Sequence, residues 1–170
     1  MNIAFFDRPY VVGPLKAEME IIKGLALSQM QLSRTITPHG FVFTDDTLYV
    51  FNLKQFDTQR NAQKVLNDFS KDKGAKFFIV AGLTSAPNKL ASQYTDYFLN
   101  IVAHVDSKVV WQIHTMMLSA DVFTIIESTE NMSALGSKEG EEGVKQIIDA
   151  ENDDNAFDVE GIELEQNPFA

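Results

Sequence analysis

The sequence predicts an α/β (α+β) protein: a mixed sheet of five or six strands with three helices packed on it, in the order β-α-β-β-α-β-α-β-β, followed by an acidic C-terminal tail. Three observations carry this prediction. The run Phe77–Leu83 is apolar at every position, which suits a strand covered on both faces. Three segments place apolar residues at three- and four-residue spacing, as amphipathic helices do. The net charge of −10 falls entirely in the last quarter of the chain. Residues 1–127 hold twelve acidic groups and twelve Lys or Arg, whereas 128–170 hold twelve acidic groups against Lys138 and Lys145. Composition therefore divides the chain into a globular core, 1–127, and an acidic tail, 128–170, largely flexible, with a short helical stretch at 138–150.

Asn2–Phe6 reads as a short strand ended by Arg8-Pro9. From Pro14 the pattern turns helical: Leu15, Met19, Ile22, Leu25, Ala26 and Met30 form a stripe, widened by Ile21, Leu27 and Leu32. Proline in the first turn and early Glu18 and Glu20 suit a helix N-terminus. A stripe this wide implies burial on more than one side, hence a homo-oligomer. Thr37-Pro38-His39-Gly40 breaks the pattern, and Phe41–Thr44 and Thr47–Leu53 read as a hairpin. Asp45-Asp46 lacks the glycine of a tight two-residue turn, so a loop of three or four residues is expected. Asp57 or Thr58 caps a second helix running to about Ser70, with Ala62, Val65, Leu66 and Phe69 inward.

After the apolar strand, Thr84-Ser85-Ala86-Pro87 supplies a hydroxyl cap and a proline, and the spacing of Leu90, Tyr94, Tyr97, Phe98, Ile101, Val102 and Val105 predicts a third helix over 86–104. Residues 109–118 and 122–126 follow as strands joined by the short turn Ser119-Ala120-Asp121. Trp111, mid-strand, and Phe98, on the inner stripe of the third helix, are expected in the core. Lys138–Ala150 has Val144, Ile147 and Ile148 as its only apolar contacts, and Gly140 and Gly143 weaken it.

A chain of 170 residues that is 45% hydrophobic can build one substantial core. It contains no cysteine, which removes disulfides, thiolate metal sites and cysteine nucleophiles. The first residues lack a signal peptide's basic and apolar regions, and no run approaches membrane-spanning length. The expected location is cytoplasmic, or the host cytoplasm or virion for a viral chain, with no membrane association.

Motifs that carry chemistry are missing: no phosphate-binding Gly-Lys-Ser/Thr loop, no Gly-x-Gly-x-x-Gly, no His-Glu-x-x-His, no Gly-x-Ser-x-Gly. Gly82-Leu83-Thr84-Ser85-Ala86 lacks the second glycine of a nucleophile turn. Asp45, Asp46, Asn52 and Lys54 are the residue types of a metal-dependent nuclease site, but Asp46 and Asn52 lie roughly 20 Å apart along a straight strand. No catalytic residue, metal or cofactor is predicted. Strand aromatics such as Phe41, Phe43, Tyr49, Phe51 and Trp111 resemble a stacking platform for bases, but they suit an ordinary core better. Zero net charge over 1–127 supplies no general attraction to phosphate.

The tail supplies the candidate partner-binding residues: Asp153, Asp154, Phe157, Asp158, Glu163, Glu165, Pro168 and Phe169. Its end, Asn167-Pro168-Phe169-Ala170, resembles the acidic tips of bacterial and phage single-stranded-DNA-binding proteins, with Ala170 as an addition. The resemblance covers about twenty residues and implies recruitment of protein partners. The function expected from the whole chain is a non-enzymatic protein-binding or assembly protein, of the kind found as viral or phage accessory or virion components. The alternatives are a single-stranded-DNA-binding protein and an enzyme whose site assembles only in three dimensions.

Overall fold

A computed structural model describes residues 3–106 and 108–134. The elements run β1 (Phe6–Pro9), α1 (Leu15–Ser33), β2 (His39–Phe43), β3 (Thr47–Asn52), a 3-10 turn (Leu53–Gln55), α2 (Gln59–Lys73), β4 (Phe77–Pro87), β5 (Thr95–Val105), β6 (Lys108–Ser119) and β7 (Val122–Ala134). The strands form one seven-stranded sheet in the order β1-β3-β2-β4-β5-β6-β7, every neighbouring pair antiparallel. This corrects the predicted fold class: the described residues hold two helices, not three, and the sheet is larger than expected and antiparallel throughout.

The missing helix is the main error, and its cause is physical. Residues 83–87 extend β4, with Thr84 opposite Phe98 and Ser85 opposite Tyr97, so the expected cap residues are ladder residues. Leu90, counted in the helical stripe, is 98% exposed in the connection between β4 and β5. From Tyr97 onward the strand carries apolar residues on both sides, interrupted on one of them by Asn100 and His104. Leu99, Ile101 and Ala103 point to one face, while Phe98, Asn100, Val102 and His104 point to the other by strand alternation. A strand apolar on both sides satisfies three- and four-residue spacing by default, and periodicity cannot then separate strand from helix.

Elsewhere the elements follow their local signals. Asn61 N–H donates to the Thr58 hydroxyl at 3.2 Å, which caps α2. Gly74 ends that helix at φ 65°, in the left-handed region. The β2–β3 hairpin is closed by Thr44, Asp45 and Asp46, with Thr44 N–H donating to the Thr47 carbonyl at 3.0 Å. Strand β1 sits later than expected: it runs from Phe6 to Pro9, and Pro9, its last residue, still pairs with Thr47. An edge strand tolerates that proline because only one side of it needs N–H donors.

Each helix covers part of one face of the sheet. Met19, Ile22, Ala26 and Met30 of α1 bury against Phe41, Phe43, Ile79, Leu99 and Ile101. Across the sheet, Ala62 and Leu66 of α2 bury against Val42, Phe51, Phe78 and Val80. The approach is closest at Gly40, where an added Cβ would lie 2.7 Å from a Leu66 methyl. On α1, Ile21 and Leu32 remain exposed. The compositional boundary near Ser128 falls inside β7, which continues to Ala134. The helical stretch predicted at 138–150 lies outside the described residues.

Candidate functional site

The two faces of the sheet are covered unequally. α1 spans its face far enough to touch β4, β5 and β7. α2, fifteen residues long against the nineteen of α1, packs on β2 and β4. It reaches β5 through Gln63, whose amide lies 3.2 Å from His104 Nε2. Among the described residues, no helix packs on β6 and β7 from the α2 side. That face carries Phe98, Asn100 and Val102 of β5, Val109, Trp111, Ile113 and Thr115 of β6, and Thr129 and Asn131 of β7; Asn100, Val102 and Val109 are buried, Phe98, Trp111, Ile113 and Thr115 are half-buried, and Thr129 and Asn131 are exposed.

Trp111 and Phe98, both expected in the core, are half-buried on this open face. Trp111 rests on Val102 and Val109 in a small apolar cluster of its own, while part of its ring system meets solvent. Asn100 is held in place by a 3.0 Å hydrogen bond from its amide to the Thr84 hydroxyl. His104 stacks on Phe78 with ring centroids 4.4 Å apart and planes 7° from parallel. Burial pushes the His104 imidazole down to about 4, so at neutral pH it adds no charge to the face.

Charge comes instead from the flank of α2. Gln63 marks the side of the helix toward β5, while Phe69 marks the opposite side, packing on Phe5, Tyr49 and Phe51. At about 100° per residue, Arg60 and Lys71 lie on the outer part of the Gln63 side and Lys64 lies close to the solvent-facing line of the helix; all three are exposed. Asp68 shares that outer surface, one turn from both Lys64 and Lys71, while Asp72 lies further round toward the Phe69 side. The part of this surface nearer α2, with its half-buried indole, is thus uncharged, and the helix beside it carries Arg60, Lys64 and Lys71 with Asp68 among them. On the same surface Glu127 and Asp96 lie away from α2, on β7 and at the far end of β5.

A second polar cluster lies on the α1 face. Glu130 accepts from Lys16 at 2.9 Å and from the Gln112 amide at 2.8 Å, and those two bonds hold its carboxyl below the usual range. With the Gln112 nitrogen so engaged, its oxygen faces His114 Nε2 at 3.0 Å, and His114 Nδ1 faces the Ser128 hydroxyl at 2.7 Å. This order assigns the ring proton to Nε2 and lets Nδ1 accept from Ser128. Burial, with Lys23 nearby, pushes the His114 imidazole down. The third member is a neutral amide with no charge to stabilise an imidazolium. The cluster therefore works as a tie between α1, β6 and β7.

Of the sequence-predicted site residues, Asp153, Asp154, Phe157, Asp158, Glu163, Glu165, Pro168 and Phe169 all lie outside the described residues. Asp46 and Asn52 stand at opposite ends of β3 and do not converge; the Asn52 amide oxygen accepts from Lys54 N–H at 2.9 Å. Among the described residues no three His, Asp or Glu side chains could hold a metal ion, and no helix is long and apolar enough to cross a membrane. The three histidines stay apart: His39 on β2, and His104 and His114 on opposite faces. Sequence reading missed the open face because β5 was read as helix. The overlooked signal was the polar Asn100 and His104 alternating with Leu99, Ile101 and Ala103. Comparison with family models, with curated proteins and with solved structures finds no match.

Proposed function

We propose that this protein is a non-enzymatic binding protein that takes single-stranded nucleic acid on the open α2-side face of β5, β6 and β7. The observation that carries this reading is Trp111, half-buried on the uncharged part of the sheet surface beside Arg60, Lys64 and Lys71 of α2. Proteins that hold single strands without reading sequence combine these two parts, an aromatic surface for bases and a basic border for the backbone. Net charge does not oppose it, because residues 1–134 carry thirteen acidic groups against twelve Lys or Arg. The remaining imbalance sits in 135–170, eleven acidic groups against two lysines. That segment supports a second contact, with a protein partner whose basic surface includes an apolar pocket for Phe169.

Trp111 is the only tryptophan in the chain, so its fluorescence reports on the proposed site directly. Titration with an unstructured oligonucleotide, in DNA and RNA arms, is expected to quench that emission, with an affinity that falls as salt is raised. Trp111→Ala should lose on the order of 1–3 kcal/mol of binding, and Arg60→Glu with Lys64→Glu should lose most of the salt dependence. Unchanged emission, together with no binding by anisotropy of a labelled oligonucleotide, would overturn the reading.

A further inference from the structure

The two edges of the sheet differ in how they are guarded. β1 presents four residues, among them Arg8 and Pro9, and so is short, charged and interrupted, as an edge that avoids partners should be. β7 presents thirteen residues with neither proline nor lysine. Its pairing with β6 is regular from Glu127 to Ala134, beyond the register shift at Thr115 and Met116. Among the described residues nothing pairs with its outer side. Its guards are two carboxylates, Glu127 and Glu130, and that register shift, which leave the eight residues from Glu127 to Ala134 as a regular template for another strand.

We infer that β7 pairs antiparallel with β7 of a second copy, about a two-fold axis through Asn131, to make one continuous sheet. Symmetry restricts the register. A two-fold normal to the sheet keeps each side chain on its own face, so the axis must pass through a residue and oppose that residue to itself. Centring on Glu127 or Glu130 would set two carboxylates against each other, which is unfavourable for directly opposed residues. Of the remaining centres Asn131 lies nearest the middle of the regular stretch: it opposes two amides, places Glu130 of one copy opposite Met132 of the other, and sets Thr129 opposite Ser133. No like charges meet in that register.

Because Trp111 is the cross-strand neighbour of Asn131 on β6, the two indoles would stand three strand spacings apart, about 14 Å, on the same side of the joined sheet. The open face would then run unbroken from one α2 flank to the other. The pairing stands on the edge strand alone, and only this last consequence rests on the nucleic-acid reading.

The chain has no cysteine, so single-cysteine variants are unambiguous. Light scattering at micromolar concentration is expected to give twice the chain mass of 19.1 kDa. Asn131→Cys should form a disulfide-linked dimer under mild oxidation, since opposed residues of antiparallel strands stand within disulfide range. Val11→Cys, on a 95% exposed residue of the connection between β1 and α1, should not. Asn131→Glu should lose the dimer while keeping the circular dichroism of the parent. A parent chain that stays monomeric throughout overturns the inference. So does a dimer that survives Asn131→Glu while Asn131→Cys fails to cross-link, because another surface would then hold it. None of these measurements involves nucleic acid, so they stand or fall apart from the binding titration.

Discussion

At the scale of single residues, burial of imidazole gives this protein a directional response to acid. His104 is held at about 4, against 6.5 for an unperturbed histidine. Between those values the unfolded chain binds a proton that the folded chain does not. The contribution is therefore complete above pH 6.5, is lost as pH falls through the window, and levels off near pH 4, at a total of about 3 kcal/mol. Urea midpoints measured from pH 7 to pH 4 should fall accordingly, and His104→Phe should shallow that slope. It should not abolish it, because burial also holds His39 and His114 down. A variant with the slope of the parent would place the proton uptake elsewhere.

At the scale of elements, α2 depends on a cap and on a gap. Removing the cap with Thr58→Ala should cost about 1 kcal/mol. Gly40→Ala would drive a methyl to 2.7 Å from Leu66, and such overpacking costs about 1–3 kcal/mol. Denaturant unfolding of both variants checks the order, with Gly40→Ala the more damaging or equal. The same helix shows what was legible in the sequence. Thr58, the stripe through Ala62 and Leu66, and the glycine at its end are local features, and local features fix where α2 begins and stops. The hairpins β2–β3 and β6–β7 were legible for the same reason, through turn residues between apolar runs. β5 was not, because whether 95–105 coils or extends is decided by the neighbours it meets. Its partners, residues 77–87 and 108–116, supply a ladder on both sides. The open face was hidden with it, since exposure of Trp111 depends on how far α2 reaches and not on anything written near residue 111.

At the scale of the whole molecule, sheet and tail divide the charge. Deleting 135–170 removes nine net negative charges and none of the described residues of the sheet. Calorimetry is expected to give a nearly unchanged midpoint, while affinity for a single-stranded oligonucleotide rises, most of all at low salt, where repulsion of phosphate reaches furthest. Equal affinity with and without the tail would remove that electrostatic role. The order of the strands has a further consequence, for the time course of folding. β4, β5, β6 and β7 are successive neighbours, so each pairing closes over a short connection. β2 and β4 instead meet across α2, with His39 opposite Ala81, and only that seam attaches β1, β3 and β2 to the meander. Loop closure makes distant pairings the slow ones. Stopped-flow refolding with pulsed hydrogen exchange should protect the amides of β5 and β6 first and those of β2 last, so the seam under α2 is the step that sets the rate.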